Sequence, residues 1–292
     1  MRALMRGVIP AVVIAGLTVA PLSAQGNGKS KGHKGGGPAA SGSAAPPSTA
    51  TSQPSGFRQF GSWLDDASLL TPGSAWTSIS FGYYRWIGGR QTDFPVVDAG
   101  IGLSKRAQFG ITVPYYRVHF MDGSGVGGLG DVFLSGKIML IDPADRKQAF
   151  GLAISPVFEI TDDPLPGSPS VTWAAPVNIE FRRSGYRLFG SSGYFSRGAF
   201  FGSGAVELPV NDRLIVTSAL SLMRSVNDAA AADAMGLSKG RTDVTASAAY
   251  FVTPSMAIFG GTGRTIGNRD GTGTTLLLNA GVSLTFAPRV AP

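Results

Sequence analysis

The chain has 292 residues, of which 41 are glycine, and 15% are charged, whereas about 25% is usual for soluble domains. Its formal net charge is +7, but five of the 25 basic residues and none of the 18 acidic ones lie in residues 1–56. Residues 57–292 therefore carry 20 basic against 18 acidic residues, a net charge of +2, which argues against nucleic-acid binding. The absence of cysteine excludes disulfides and a lipid-modified cysteine.

Residues 1–24 have the features of a secretory signal peptide. Arg2 and Arg6 precede the apolar stretch VIPAVVIAGLTVAPL, which ends in a Leu-Ser-Ala sequence of small-residue type. We expect cleavage after Ala24. An uncleaved membrane anchor is disfavoured because the apolar stretch is short and interrupted by prolines. The sequence thus predicts an exported protein of a Gram-negative bacterium.

Residues 25–56 consist almost entirely of Gly, Ser, Pro, Ala, Thr and Lys. Such a composition buries too little apolar surface to offset the entropy of ordering the chain, so we expect a disordered tail. Its cations Lys29, Lys31 and Lys34 are candidate contacts to anionic polymers of the cell envelope.

Residues 57–73 form a pre-barrel segment, in which we expect one short helical turn around Trp63–Leu70. From residue 74 to residue 286, apolar residues alternate with small or polar ones, the period of a strand with one apolar face. Most runs have about 11–14 residues, which suits tilted strands that cross a bilayer better than strands of globular domains. Residues 287–292 are a C-terminal extension. The predicted strands lie near residues 74–87, 93–104, 107–121, 129–141, 147–161, 171–183, 186–197, 198–209, 213–225, 241–252, 256–266 and 273–286.

Short and longer connections alternate between these runs, which is typical of outer-membrane barrels. The sequence therefore predicts an all-β fold, a transmembrane antiparallel up-and-down β-barrel of about twelve strands over residues 74–286. Closure also removes the unpaired strand edges that lipid does not tolerate. In the run 129–141 we expect a lipid-facing set and a lumen-facing set. The lipid-facing set is Val132, Leu134, Ile138 and Leu140, and the lumen-facing set is Asp131, Ser135 and Lys137.

The sequence offers little support for catalysis or for a cofactor. The glycines of Gly125–Gly130 match a dinucleotide-binding pattern, but they precede a strand instead of following one, so a loop is the better interpretation. His33 and His119 are the two histidines, and a lipase would have to use His119 with a serine. An interfacial histidine is the simpler interpretation, and we expect no catalytic residue, metal site or cofactor.

Charged residues inside the strands are candidates for the lining of the lumen. Simple hairpin pairing brings Arg117, Asp131 and Glu159 together near the loop end of the barrel. The same counting places Asp243 opposite Arg264.

These groups either neutralise one another inside a filled barrel or line a constriction that biases which solutes pass. Counting along the hairpins also places Glu207 near Arg213. The complete predicted pore-lining set is Arg117, Asp131, Ser135, Lys137, Glu159, Glu180, Arg182, Asp243 and Arg264.

The run Gly-Leu-Gly-Asp-x-x-Leu-x-x-Lys at Gly128–Lys137 resembles the hallmark of outer-membrane transporters of the meta-pathway phenol-degradation family. Trp63–Ala67 and the following Pro-Gly pair are similar to the region before the first strand in those barrels. The resemblance covers about residues 57–286 and implies a barrel of about twelve strands that passes small, often apolar or aromatic, molecules. This chain departs from the family pattern in its lysine-rich tail and in residues 287–292, which follow the last aromatic residue.

The leading expectation is an outer-membrane channel for passive diffusion of small solutes, with lipid and solutes as its partners and no nucleic acid. A non-conducting structural or adhesive barrel, whose basic tail binds envelope polymers, is the alternative. A barrel enzyme is a third and weaker one.

Overall fold

A computed structural model describes residues 64–142, 150–161, 169–183, 185–228, 239–268 and 273–287. The described residues form strands and connections, and no helix among them is long and apolar enough to span a membrane. The strand segments are β1 (Ala75–Trp86), β2 (Gly89–Ser104), β3 (Ala107–Phe120), β4 (Gly125–Leu129), β5 (Val132–Ile141), β6 (Phe150–Ile154), β7 (Val157–Ile160), β8 (Val171–Arg183), β9 (Tyr186–Phe195), β10 (Ala199–Pro209), β11 (Leu214–Ser225), β12 (Gly240–Thr253), β13 (Met256–Asn268) and β14 (Leu276–Phe286).

The segments form one closed antiparallel barrel of twelve strands. Chain neighbours pair along the sheet, and β1 pairs with both β2 and β14, which closes it. Segments β4 and β5 both pair with β3 and count as one barrel strand. Segments β6 and β7 both lie between β5 and β8 and count as another. The predicted fold class and strand number are confirmed.

The strand predicted at 147–161 is broken by a proline, and the loop predicted at Gly125–Gly130 is wrong, because β4 occupies Gly125–Leu129 and a break separates it from β5. The break between β6 and β7 contains Pro156, which has no N–H to donate, although its carbonyl accepts a bond from the Gly136 amide at 2.9 Å. The break between β4 and β5 lies beside Pro114 of β3, whose carbonyl accepts the Gly130 amide at 2.8 Å. Both breaks remain bridged, so the wall stays continuous there.

The two faces of the wall differ as the alternation predicts. On β5, the side chains of Ile138 and Leu140 are 50% and 49% exposed, whereas those of Phe133, Ser135 and Lys137 are buried. The same pattern recurs around the barrel, where large apolar side chains are exposed on nearly every strand. Such an apolar band is the surface that a barrel presents to lipid.

The strand ends define a turn end and a loop end. Residues 105–106, 210–213 and 254–255 connect strands at the turn end, where β1 also begins and β14 ends. At the loop end, the connections at residues 87–88 and 196–198 are also short. The longer loops predicted after residues 161, 227 and 267 lie largely outside the described residues, as do the signal peptide, the tail and the C-terminal extension from residue 288.

The predicted helical turn around Trp63–Leu70 is wrong for the residues that the structure describes there, because residues 64–70 contain no helix. Two carboxylates instead accept hydrogen bonds from nearby backbone amides. Asp65 accepts the amide of Asp66 at 2.9 Å, and Asp66 accepts the amide of Ser68 at 3.1 Å. Bonds of this kind compete with the helical pattern.

Candidate functional site

Residues 64–73, hereafter the plug segment, lie inside the barrel. At the turn end, the amide of Gly73 donates to the carbonyl of Gly102 at 2.8 Å, and the amide of Leu70 donates to Gln108 Oε1 at 2.9 Å. At its other end, Leu64 packs against Ala205 and Ala219. The segment therefore crosses the lumen from the β2–β3 side to the β10–β11 side.

Asp65 binds three donors of the barrel wall. Its Oδ1 accepts a bond from Lys137 Nζ at 2.7 Å, and its Oδ2 accepts bonds from Ser155 Oγ and Asn178 Nδ2, both at 3.3 Å. Asn178 Nδ2 also donates to Ser155 Oγ at 2.6 Å. The donors come from β5, from the break before β7 and from β8, so one carboxylate connects three neighbouring wall strands.

Asp66 extends the network further around the wall, to β9. Its Oδ1 lies 3.2 Å from Lys137 Nζ, and its Oδ2 accepts a bond from Arg187 Nη1 at 2.7 Å. The Arg187 guanidinium also lies 3.0 Å from Glu207 Oε2 and 3.4 Å from Glu180 Oε1. The carboxylate of Asp66 therefore bridges a cation of β5 and a cation of β9.

Ser68 makes the third anchor. Its hydroxyl donates to Glu180 Oε2 at 2.6 Å, and Arg182 contacts both Ser68 and Glu180. The backbone of the segment contributes too, since Lys137 Nζ donates to the carbonyl of Asp66 at 2.9 Å. The plug segment is thus fixed to the wall by side chains and by backbone.

The wall and the plug segment have complementary charges in this network. The wall alone supplies three cations and two carboxylates, a formal charge of +1, and the plug segment adds two carboxylates. All but one of these side chains are buried, and breaking a buried pair costs about 3–5 kcal/mol because a charge is left unpaired. The seven groups are Lys137, Arg182, Arg187, Glu180, Glu207, Asp65 and Asp66.

Asp66 is ionised in this environment. Burial alone raises the pKa of its carboxyl, but the charges of Lys137 and Arg187 outweigh burial. The pKa of Asp66 therefore lies below its ordinary value of 3.8. Its ion pairs with the wall are present throughout the neutral range.

A small cavity lies beside the contact between Asp65 and Lys137. Its volume is about 10 Å³, close to the room that one water molecule needs. Around it the lumen is well filled, and large inward side chains such as Trp76 and Phe195 are almost completely buried. The cavity is lined by Asp65, Gln108, Ser135, Gly136, Lys137, Ser155 and Val157.

A second group of charges lies nearer the loop end. Glu159 Oε2 is 3.0 Å from Arg197 Nη2 and accepts a bond from the Thr172 hydroxyl, while the carboxyl of Asp131 lies within hydrogen-bonding reach of Glu159. These contacts join the β4–β5 break to β7 and to the turn between β9 and β10.

A third group joins β12 and β13. Asp243 Oδ2 lies 2.8 Å from Arg241 Nε, and Asp243 Oδ1 accepts the Thr265 hydroxyl at 2.6 Å.

Seven of the nine residues predicted to line the lumen lie on its side of the wall. Arg182 and Asp131 are partly exposed there, and the other five are at most 9% exposed. The structure brings three of the nine together around the plug segment, Lys137, Glu180 and Arg182, and it brings Asp131 and Glu159 together nearer the loop end. The five buried residues are Ser135, Lys137, Glu159, Glu180 and Asp243.

The predicted positions of Arg117 and Arg264 in the lumen are wrong. Arg117 is exposed and pairs with Thr92, on the face opposite to the buried Val118. Arg264 is exposed and pairs with Val244 on the outer face, while Asp243 pairs with Thr265. Arg117 lies on the same face of β3 as the exposed Tyr115, and the pairing expected for Asp243 was one residue out, which is enough to place a partner on the other face.

The predicted proximity of Glu207 and Arg213 is also wrong. Arg213 is exposed in the turn after β10, and Glu207 pairs directly with Arg187 of β9. Simple pairing of the hairpin that contains residue 197 would have found this partner. The sequence did contain one signal for the plug segment, the adjacent carboxylates Asp65 and Asp66 before the first strand. An analysis based on strand periodicity does not detect it.

The solved structures that are similar to this chain include outer-membrane barrels. The COG4313 outer membrane channel from Pseudomonas putida F1 superposes with a TM-score of 0.56 at 13% identity, covering 76% of this chain and 98% of that chain. The NanC porin superposes with a TM-score of 0.52 at 9% identity, covering 73% of this chain and 100% of that chain. No family model and no curated protein matches the sequence, so the resemblance to the phenol-degradation family stays a prediction. The chain has the fold of the outer-membrane β-barrel channels.

Proposed function

We propose that the protein is an outer-membrane channel for passive diffusion of small solutes, which the plug segment closes. The observation that carries the proposal is the plug segment itself. It is not part of the wall, it crosses the lumen of a closed twelve-stranded barrel, and it binds the wall through ion pairs. The apolar outer band and the predicted signal peptide support a location in the bacterial outer membrane.

The size of the barrel supports a narrow channel. Barrels of about eight strands are filled by their own side chains, and barrels of sixteen to eighteen strands enclose a wide aqueous channel. Twelve strands lie between these limits. Displacement of the plug segment vacates the space between the β2–β3 wall and the β10–β11 wall, which gives small molecules room to pass.

We propose that the solutes are small molecules. The resemblance at Gly128–Lys137 adds apolar or aromatic molecules to the proposed range of solutes. Buried polar groups such as Lys137 and Asn178 on the inner wall favour solutes with at least one polar group. We propose no enzymatic step.

A non-conducting structural barrel is the second candidate, because the described part of the lumen is filled by buried side chains. In that case the basic tail, with Lys29, Lys31 and Lys34, attaches the barrel to anionic envelope polymers. The three lysines lie outside the described residues.

Single-channel conductance in planar bilayers tests the proposal. The full mature chain is compared with a variant lacking residues 25–56 and a variant lacking residues 25–70, the latter without most of the plug segment. We expect the first deletion to behave like the full chain and the second to conduct strongly, because the anchors at Asp65, Asp66 and Ser68 are lost. A folded barrel of the second variant that carries no current would favour the structural role.

A further inference from the structure

We infer that the wall site that holds Asp65 and Asp66 is a binding site for small organic carboxylates, which open the channel by replacing the plug segment. The inference rests on the proposed channel for its transport part, and its binding part can be measured separately. Hereafter the carboxylate site means the side chains of Lys137, Ser155, Asn178 and Arg187.

The donors of this site are already arranged around a planar group with two oxygens. The carboxylate of Asp65 receives Lys137 on one oxygen and both Ser155 and Asn178 on the other. All three donors belong to the wall and remain when the plug segment leaves. Charge-assisted bonds of this kind are about twice as strong as neutral ones, so a solute carboxylate can replace that of Asp65 bond for bond.

The donors are also held in place by contacts of their own. Asn178 bonds to Ser155, and the Arg187 guanidinium lies 4.4 Å from the ring centre of Phe189 and contacts Glu180 and Glu207. A site that is arranged before its ligand arrives loses little free energy on binding.

The charges favour an anion in this site. Without the plug segment, Lys137 loses both of its carboxylate partners, whereas Arg187 keeps Glu180 and Glu207. Lys137 is 3% exposed with the plug segment in place, and its ammonium faces the vacated lumen without a carboxylate partner when the segment leaves. An external anion is therefore favoured at this position.

The two occupants exclude each other because they use the same donor atoms. A solute that binds the wall when the plug segment is out shifts the population towards the open barrel. The cavity lined by Gln108, Ser135 and Val157 adjoins Lys137. In our proposal, the rest of the solute molecule begins to occupy the lumen there when its carboxylate binds Lys137. A carboxylate solute thus acts both as ligand and as the opener of its own path.

The binding test uses the full mature chain with Asp65→Asn and Asp66→Asn, which removes the two competing charges at nearly constant size. Benzoate is titrated into the refolded protein in detergent by calorimetry, with benzyl alcohol as its uncharged counterpart and phosphate as an anion of different shape. We expect benzoate to bind the double variant at least tenfold more tightly than the unmodified chain, and benzyl alcohol to bind neither.

A matched pair of further substitutions locates the site. In the double variant, Lys137→Gln should abolish benzoate binding, whereas Lys105→Gln, at an exposed turn, should leave it unchanged. Benzoate that binds no more tightly than benzyl alcohol, or binding that survives Lys137→Gln, overturns the site. Phosphate binding equal to that of benzoate would replace carboxylate recognition by general anion binding and overturn the stated ligand class.

Conductance of the same double variant separates the two proposals. Current without benzoate binding supports the channel and contradicts the carboxylate site. Benzoate binding without current supports the carboxylate site and contradicts the channel.

If the double variant does not refold, the otherwise unmodified chain provides the test. Ala67 in the plug segment is fully buried and the chain has no cysteine, so Ala67→Cys places a single thiol in the lumen. Benzoate should accelerate labelling of this thiol by a charged maleimide at least fivefold, and benzyl alcohol should not. Equal labelling rates with and without benzoate would contradict opening by a carboxylate.

Discussion

The face of the strand that a residue occupies determines its surroundings in this barrel. Phe133, Ser135 and Lys137 point inward and are buried, while Leu134 between them lies on the lipid side. The inward face tolerates a buried lysine because Asp65 and Asp66 lie 2.7 and 3.2 Å from its ammonium group. The outer face has lipid in place of such partners.

Lysine placed at Leu134 or at Ser135 tests this difference with equal charge. Leu134→Lys should lower the fraction folded into vesicles, because a cation on the lipid face near the bilayer midplane costs about 2–4 kcal/mol. Ser135→Lys places the same charge on the lumen side, beside the carboxylate of Asp65, so the loss of folding should be smaller. The gel shift of the folded form measures both. Equal damage from the two substitutions would mean that the faces are assigned wrongly.

The pH dependence of closure follows from Asp66. Its pKa is depressed below 3.8, so its hold on the wall is complete above that value and is lost as the pH falls through the folded-state pKa. We expect the full chain to stay closed in bilayers from about pH 8 to pH 5 and to open only at a pH below 3.8, as the carboxylate of Asp66 becomes protonated.

The control for this pH response is Asp66→Asn, which removes the titrating group. It should be partly open at every pH and should show a smaller acid response. Opening of the unmodified chain already near pH 6 would assign the response to another group.

At the scale of elements, the plug segment depends on a close approach to the wall. The backbone carbonyls of Leu70 and Thr71 pass directly over Gly102 of β2, where an added Cβ would lie 2.8 and 2.4 Å from their oxygens. Glycine is the residue that permits this contact. The segment is therefore fixed at the turn end by shape and further inside by charge.

Gly102→Ala should loosen the plug segment while the barrel stays folded. The new methyl group has to push the segment away from β2, since backbone cannot move as freely as a side chain. We expect more frequent opening in single-channel recordings, with an unchanged gel shift. Gly204→Ala is the control, because a Cβ there meets nothing within 4 Å. Recordings of Gly102→Ala that match those of the control would contradict the close contact.

At the scale of the whole molecule, the closed ladder from β1 to β14 is the main source of order. Within the described part of the chain, every barrel strand has two neighbours and no unpaired edge faces lipid. The tail of residues 25–56 lies outside the described residues, and nothing in the wall depends on it in our proposal.

The folded protein should therefore resist SDS until it is boiled, and its far-UV circular dichroism should show strand with little helix. Deletion of residues 25–56 should leave both the gel shift and the spectrum unchanged. A helix-dominated spectrum in detergent would contradict the fold, and loss of insertion on deletion would give the tail a role in assembly.

Much of the fold could be predicted because strand periodicity is local. Predicted runs such as 107–121 and 171–183 agree with β3 and β8 to within one residue. The run predicted from residue 93 begins at Gly89 instead, since an irregularity between Asp93 and Val96 shifts the alternation. Within the candidate site, the inward position of Lys137 could be predicted from the same alternation. Its partners Asp65 and Asp66 could not be predicted in this way.

The sequence alone predicted an export signal, and it determined about twelve strands with one apolar face, since these are properties of neighbouring residues. The tertiary structure decided which charges meet. Lys137 and Asp65 are 72 positions apart, and β1 and β14 meet only when the barrel closes. Register determines such contacts, and an error of one residue puts the expected partner on the wrong face, as the pairing of Asp243 with Thr265 instead of Arg264 shows. The plug likewise depends on the closed wall, because its two carboxylates are stable in the lumen only where Lys137 and Arg187 converge.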